Sequence, residues 1–115
     1  MKLIFSFLIL IIISVNYISS QWIEQQSGVT TSLNAVYSSV NSSNSAWICG
    51  DNGVVLRTTN AGTNWINVSG NLPVIYNFTS IIETVNQSVF IAGRNSGSSS
   101  LVYKTTNGGL NWSLI

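Results

Sequence analysis

Charge is scarce in this sequence. Its 115 residues include four lysines and arginines, three aspartates and glutamates, and no histidine. Without a basic cluster, the chain lacks the electrostatic footprint of a nucleic-acid-binding face or of a polybasic membrane patch. We therefore expect no nucleic-acid partner, and we expect solubility to rest on the abundant serine, threonine and asparagine residues.

Cysteine is nearly absent as well, since Cys49 is the only one and an intrachain disulfide is impossible. Its segment, residues 46–50, is similar to residues 89–93, where Ala92 takes the same place. We therefore interpret Cys49 as a small buried hydrophobic residue. A nucleophilic role would need a nearby base, and the chain has no histidine. We predict no catalytic, cofactor-binding or metal-binding residues, and no cofactor.

The first twenty residues have the layout of a secretory signal peptide. Lys2 precedes a short apolar run, residues 3–13, and small serines stand before Gln21. The run is shorter than the ~20 apolar residues that a transmembrane helix needs. We predict cleavage after Ser20, with an uncleaved membrane anchor as the alternative. Export to the periplasm, the cell surface or the medium follows, with no integral membrane span after cleavage.

A nine-residue motif occurs twice. Residues 57–65 read Arg-Thr-Thr-Asn-Ala-Gly-Thr-Asn-Trp, and residues 104–112 read Lys-Thr-Thr-Asn-Gly-Gly-Leu-Asn-Trp. The copies lie 104 − 57 = 47 residues apart. A repeat at this distance is typical of an array of supersecondary units.

The motif has the chemistry of a tight hairpin. An asparagine side chain bonds the backbone two residues on, and glycine tolerates a positive φ. A threonine hydroxyl can hydrogen-bond into the turn, and a tryptophan can cover the hairpin. A ligand or metal site at each turn is disfavoured because neither copy carries a carboxylate. We predict these structural turn residues: Thr58, Asn60, Gly62 and Trp65, then Thr105, Asn107, Gly109 and Trp112.

The strand and turn spacing predicts an all-β fold for residues 21–115. Short β-branched or apolar runs alternate with turn signals such as Asp51-Asn52-Gly53, and Pro73 marks a connector between the two units. We predict two four-stranded antiparallel sheets, in blade-like repeats at about 29–68 and 77–115, after a leading outer strand at 22–25. The predicted strands are 33–37, 46–50, 54–57 and 65–68, then 78–84, 89–93, 101–104 and 112–115.

The repeated pattern Thr-x-Asn-x-Gly-x-x-Trp resembles the Asp-box, or BNR repeat, with asparagine in place of the usual aspartate. The wider pattern, through residues 33–36, 47–53 and 56–65, is similar to the photosystem II assembly and stability factor family of propellers. The resemblance spans almost all of residues 21–115. It implies a seven-bladed β-propeller without enzymatic activity that holds other proteins during assembly.

Four short strands in each ~40–50-residue unit are typical of a propeller blade, and propellers close with ~4–8 blades. Two blades and a leading strand predict an incomplete propeller, which we interpret as the N-terminal fragment of a longer protein. The first functional hypothesis is a secreted or surface-bound protein-binding scaffold, with a glycan as the alternative partner.

The second functional hypothesis is the N-terminal part of a sialidase-like glycoside hydrolase, because those enzymes also carry Asp-boxes. Most glycosidases need paired carboxylates. Glu24, Asp51 and Glu83 lie at different repeat positions, which argues against a site within this chain.

Overall fold

The computed structural model describes residues 21–97 and 99–115, so the predicted signal peptide, residues 1–20, lies outside the described residues. No helix occurs within these two ranges, and therefore none long and apolar enough to cross a membrane. Eight strands are present: β1 (Leu33–Ser38), β2 (Ala46–Gly50), β3 (Val55–Thr58), β4 (Ile66–Asn67), β5 (Asn77–Glu83), β6 (Val89–Arg94), β7 (Ser100–Thr105) and β8 (Ser113–Leu114).

The strands form two four-stranded sheets in which each strand pairs with its neighbours in sequence. The first sheet has the order β1-β2-β3-β4, the second has the order β5-β6-β7-β8, and every pairing is antiparallel. The predicted all-β fold with two four-stranded antiparallel sheets is confirmed. Strands β4 and β8 are shorter than predicted, with two residues each, because the motif tryptophans precede the ladder instead of opening it.

The outer strand predicted at residues 22–25 is not formed. The first sheet ends at β4, which pairs with β3, and residues 21–32 contain no strand. Trp22 is fully exposed. Gln25 instead uses its side chain, because its Oε1 accepts a hydrogen bond of 3.2 Å from Trp65 Nε1. Gln25 thus contacts the first repeat turn through its side chain and not through a backbone ladder.

Both sheets contain a β-bulge at the same place. Asn34 has no partner between the pairs Leu33–Gly50 and Ala35–Cys49, and Thr79 is unpaired in the same way in β5. A bulge adds one residue to one strand and re-aims its side chain. Asn34 Nδ2 consequently donates to Asp51 Oδ1 at 2.7 Å and to the carbonyl of Phe78 in the second sheet at 2.9 Å.

The two sheets pack face to face, with β1 and β2 of the first against β5 of the second. Ile81, Ile91 and Tyr103 are cross-strand neighbours and therefore share the face that meets the first sheet. Burying one large apolar side chain contributes about 1.5–3 kcal/mol, so this layer is the main source of stability. Its buried members are Trp47, Cys49, Val55, Leu72, Phe78, Ile81, Val89, Ile91, Tyr103 and Trp112.

The connector between the sheets is held by hydrogen bonds. Gly53 N donates to the carbonyl of Tyr76 at 2.7 Å, and Asn52 N donates to Asn77 Oδ1 at 3.1 Å. At the outer side, Trp112 Nε1 donates to the carbonyl of Val68 at 2.9 Å. These contacts fix the second sheet against the first at both ends of the connector.

Candidate functional site

The first copy of the repeated motif forms a turn that is closed by its own side chains. Thr58 Oγ1 accepts from Gly62 N at 2.9 Å and donates to Asn60 Oδ1 at 3.0 Å. The same Asn60 oxygen accepts from Asn64 N at 2.9 Å. Ala61 and Gly62 have positive φ values of 55° and 83°, and glycine adopts positive φ values more readily than other residues do.

The second copy repeats this turn bond for bond. Thr105 Oγ1 accepts from Gly109 N at 3.1 Å and donates to Asn107 Oδ1 at 2.9 Å, and that oxygen accepts from Asn111 N at 3.0 Å. Both asparagine oxygens are thus engaged within their turns, where they hold the shape of the backbone.

The two motif tryptophans differ in environment. Trp112 is 3% exposed and lies between the sheets, whereas Trp65 is half-buried and contacts Gln25. The second sheet packs against the first, and Trp112 therefore contacts the first sheet. Within the described ranges, no third sheet lies beyond the first to cover Trp65 in the same way. The two copies of the motif thus have the same local structure, but their tryptophans differ in burial.

A polar cavity of about 380 Å³ opens between the sheets beside the second repeat turn. Arg57 lies over the ring of Trp47, with its guanidinium carbon 4.8 Å from the ring centroid, as in a cation–π contact. Glu83 is only 6% exposed. The lining is otherwise made of polar loop residues: Ser39, Asn41, Ser42, Ser45, Gln87, Thr106, Asn107 and Gly108.

Three buried polar atoms of this cavity have no hydrogen-bond partner in the protein: Trp47 Nε1, Arg57 Nε and Glu83 Oε2. A buried polar group without a partner costs about 1–3 kcal/mol, and polar cavities of this kind satisfy such groups with ordered water. The cavity therefore suits water or a small polar group. Sequence patterns do not predict this cavity, because the burial of Glu83 depends on how one sheet covers the other.

Asp51 and Glu83 are not arranged as a glycosidase pair. Asp51 is bound to Asn34 near Phe78, at the start of β5, whereas Glu83 ends that strand. Five residue steps of a strand span roughly 16 Å, and glycosidase carboxylates lie about 5–10 Å apart. In the described part of the chain, no three His, Cys, Asp or Glu residues lie together in a way that would hold a metal ion.

Cys49 lies fully buried in the layer between the sheets. Burial raises the pKa of its thiol to about 11, because the charged thiolate is poorly solvated there. The thiol is therefore protonated at neutral pH, and a protonated thiol is a poor nucleophile. Its environment agrees with the interpretation of Cys49 as a small hydrophobic residue.

Three tyrosines, Tyr37, Tyr76 and Tyr103, are used in packing. Tyr37 donates its hydroxyl to the carbonyl of Glu83 at 3.2 Å. Tyr103 is buried and meets Tyr76 and Phe78 edge to face, with ring centroids 6.5 and 6.1 Å apart.

Each sheet has one face covered by the other sheet and one outer face that is exposed in part. Val36 is 70% exposed on the first sheet, and Ile82 is 49% exposed on the second. Both faces are apolar. By register, the outer face of the first sheet, which we call the front face, carries Leu33, Val36, Ser38, Ala46, Ile48, Leu56 and Thr58, and the outer face of the second sheet, which we call the back face, carries Ile82, Phe90, Ala92, Arg94, Val102 and Lys104. Leu56 and Thr58 are already buried, at 1% and 2% exposure.

Successive four-stranded meanders packed face to face define an all-β architecture of the β-propeller type, here with two blades. Among solved structures, the chain is similar to YCF48 from Cyanidioschyzon merolae, with a TM-score of 0.58 and 24% sequence identity. The similarity covers 74% of this chain and 26% of that one, so this chain spans about a quarter of its length. The likeness shows the fold. Neither family models nor curated proteins yield a match.

Proposed function

We propose that this chain is a non-enzymatic scaffold that binds other proteins through its blade faces and supports their assembly. The observation that carries the proposal is the pair of partly exposed apolar faces, front and back. Contiguous exposed apolar surface of this kind is typical of protein interaction sites. The strand positions of the front face carry no charge, so binding that face costs no desolvation of charge, whereas the back face carries Arg94 and Lys104.

Two further observations support the same role. The repeated turns resemble those of the photosystem II assembly and stability factor family, and the fold is similar to that of YCF48. The leader-like residues 1–20 support export of the protein, so we place its action at the cell surface or outside the cytoplasm. The partner that fits these features is a protein with an apolar surface.

A sialidase-like activity is not favoured, because Asp51 and Glu83 stand at opposite ends of β5. A glycan partner is not favoured either at the polar cavity. The ring of Trp47 is 1% exposed and lies beneath Arg57, so it offers no open aromatic surface for a sugar.

Site-specific photo-crosslinking in the source cells tests the proposal. A photoreactive phenylalanine analogue is placed at Val36 or Ile82, and at Val85, which is 78% exposed in the turn after β5, as a matched control. We expect protein adducts, identified by mass spectrometry, from the two face positions and not from Val85. Equal adduct yields at all three positions, or none at the faces, would contradict the proposal.

A further inference from the structure

The two sheets are equivalent position by position, and this equivalence extends to their packing faces. In the first sheet Trp47 pairs with Arg57 across β2 and β3, and in the second Phe90 pairs with Lys104 across β6 and β7. Each basic side chain lies over its aromatic neighbour, at 4.8 Å and 5.4 Å from the ring centroid. The same aromatic–cation unit is therefore built twice.

The back face repeats the layout of the face that the first sheet uses to contact the second. Trp47 and Cys49 on that covered face correspond to Phe90 and Ala92 on the back face. The remaining pairs follow the same registers: Tyr37 corresponds to Ile82, and Val55 corresponds to Val102. The second sheet thus carries on its back face the same arrangement of side chains that the first sheet carries on its covered face.

The front face repeats the layout of the face that the second sheet uses. The pair Val36–Ile48 occupies the register of the buried pair Ile81–Ile91. Ala46 likewise occupies the place of Val89. The front and back faces therefore repeat the two halves of the interface that the chain forms between its own sheets.

We propose that a second copy of this chain packs its front face against the back face of the first, repeating the interface between the two sheets. This inference rests on the proposed scaffold function, because it names a partner for the same faces. The contact is head to tail and uses two different surfaces, so repeated addition gives a ring if the rotation closes and a filament if it does not.

Charge is compatible with this contact. Glu83 lies in the intrachain interface. On the front face, Ser38 occupies the equivalent position in register. The new interface therefore buries no carboxylate. Lys104 of the back face has a long apolar stem that can keep its ammonium group in water while the stem packs. Arg94 and Lys104 stand on the back face, and their charged groups have to stay in water, because burial of an unpaired charge is the main penalty at such an interface.

Two variants, each with one face blocked, test the direction of the contact. In Val36→Asp the front face is blocked, and in Ile82→Asp the back face is blocked. Sedimentation velocity of the full chain should show oligomers for wild type and an apparent dissociation constant raised at least ~10-fold for either variant alone, because a carboxylate must be buried. Since residues 1–20 are identical in all samples, differences report the faces. Val85→Asp should behave as wild type.

An equimolar mixture of the two blocked variants gives the sharpest outcome. One keeps its back face and the other keeps its front face, so the mixture should form a dimer that cannot grow further. A monomeric wild type, a mixture that stays monomeric, or one variant that dimerises alone would each overturn the proposal. Near-UV circular dichroism of the tryptophans checks folding. If either Asp variant unfolds, Val36→Thr and Ile82→Thr, which suit strands, replace them in the same design.

This test separates the inference from the function on which it rests. If wild type is monomeric while the face positions still form photo-adducts with other proteins, the self-association is wrong and the scaffold function stands. If the adducts contain only this chain, the self-association stands, and the binding of other proteins is contradicted.

Discussion

Asn71 and Trp112 are joined by two reciprocal hydrogen bonds across 41 residues of sequence: Trp112 N donates to Asn71 Oδ1 at 2.8 Å, and Asn71 Nδ2 donates to the Trp112 carbonyl at 2.9 Å. The carboxamide thus pairs with the peptide groups of Trp112 as a neighbouring strand would. It ties the connector to the second repeat turn and seats the Trp112 ring between the sheets.

Loss of this carboxamide should destabilise the whole domain. Asn71→Ala leaves two backbone groups of a partly buried segment without partners, so we expect a loss of about 1–3 kcal/mol in the free energy of unfolding. Chemical denaturation followed by tryptophan fluorescence measures it. Asn86→Ala, an exposed change in the turn after β5, is the matched control and should stay within ~0.5 kcal/mol of wild type. Equal stability of the two variants would contradict the role of Asn71.

The motif threonines should be needed for their hydroxyl groups. Thr58→Val keeps the shape of the side chain and removes the hydrogen bonds to Gly62 and Asn60, so we expect a loss of about 1–3 kcal/mol. Thr58→Ser should recover most of it. The adjacent, exposed Thr59→Val should have little effect. An equal loss in Thr59→Val would show that β-propensity, and not the turn, is being measured.

Aspartate should be tolerated in place of the motif asparagines. The Asn60 oxygen only accepts hydrogen bonds, from Asn64 N and the Thr58 hydroxyl, and a carboxylate accepts them more strongly. We expect Asn60→Asp to equal or exceed wild type in thermal stability at neutral pH, while Asn60→Ala is destabilised. Any gain should be lost as the pH falls below ~4, where an aspartate becomes protonated. A large loss in Asn60→Asp at neutral pH would contradict this geometry.

The buried thiol predicts a pH dependence of stability. Burial raises the pKa of Cys49 from 9.0 to about 11. Because the folded-state pKa lies above the unfolded one, the unfolded chain loses its proton first as the pH rises. The contribution of Cys49 is therefore fully present below pH 9 and is lost between pH 9 and 11. Denaturant midpoints over this range should fall less in Cys49→Ala, which carries the residue found at the equivalent position Ala92. Identical slopes would refute the assignment.

The local architecture was predictable from the sequence because it depends on short-range chemistry. Turn residues and β-branched runs placed both sheets, and the copies of the motif gave turns with equivalent hydrogen bonds. The bulges at Asn34 and Thr79 were missed, since one extra residue hardly disturbs a period-2 pattern. The burial of Glu83 was missed as well, because it depends on how one sheet covers the other. Side-chain alternation distinguishes the two faces of a sheet, but it does not show which face another sheet covers.

The heat capacity change on binding tests the central claim, that the free blade faces bind protein, most directly. It is obtained by titration calorimetry at several temperatures, with the protein that the photo-crosslinks identify as partner. Burial of the front or back face should give a clearly negative value, because apolar surface leaves water. The same titration is repeated with Val36→Asp, Ile82→Asp and Val85→Asp. The account predicts that one of the first two variants loses binding while Val85→Asp keeps it. Unchanged binding in all three, or a heat capacity change near zero, would contradict it.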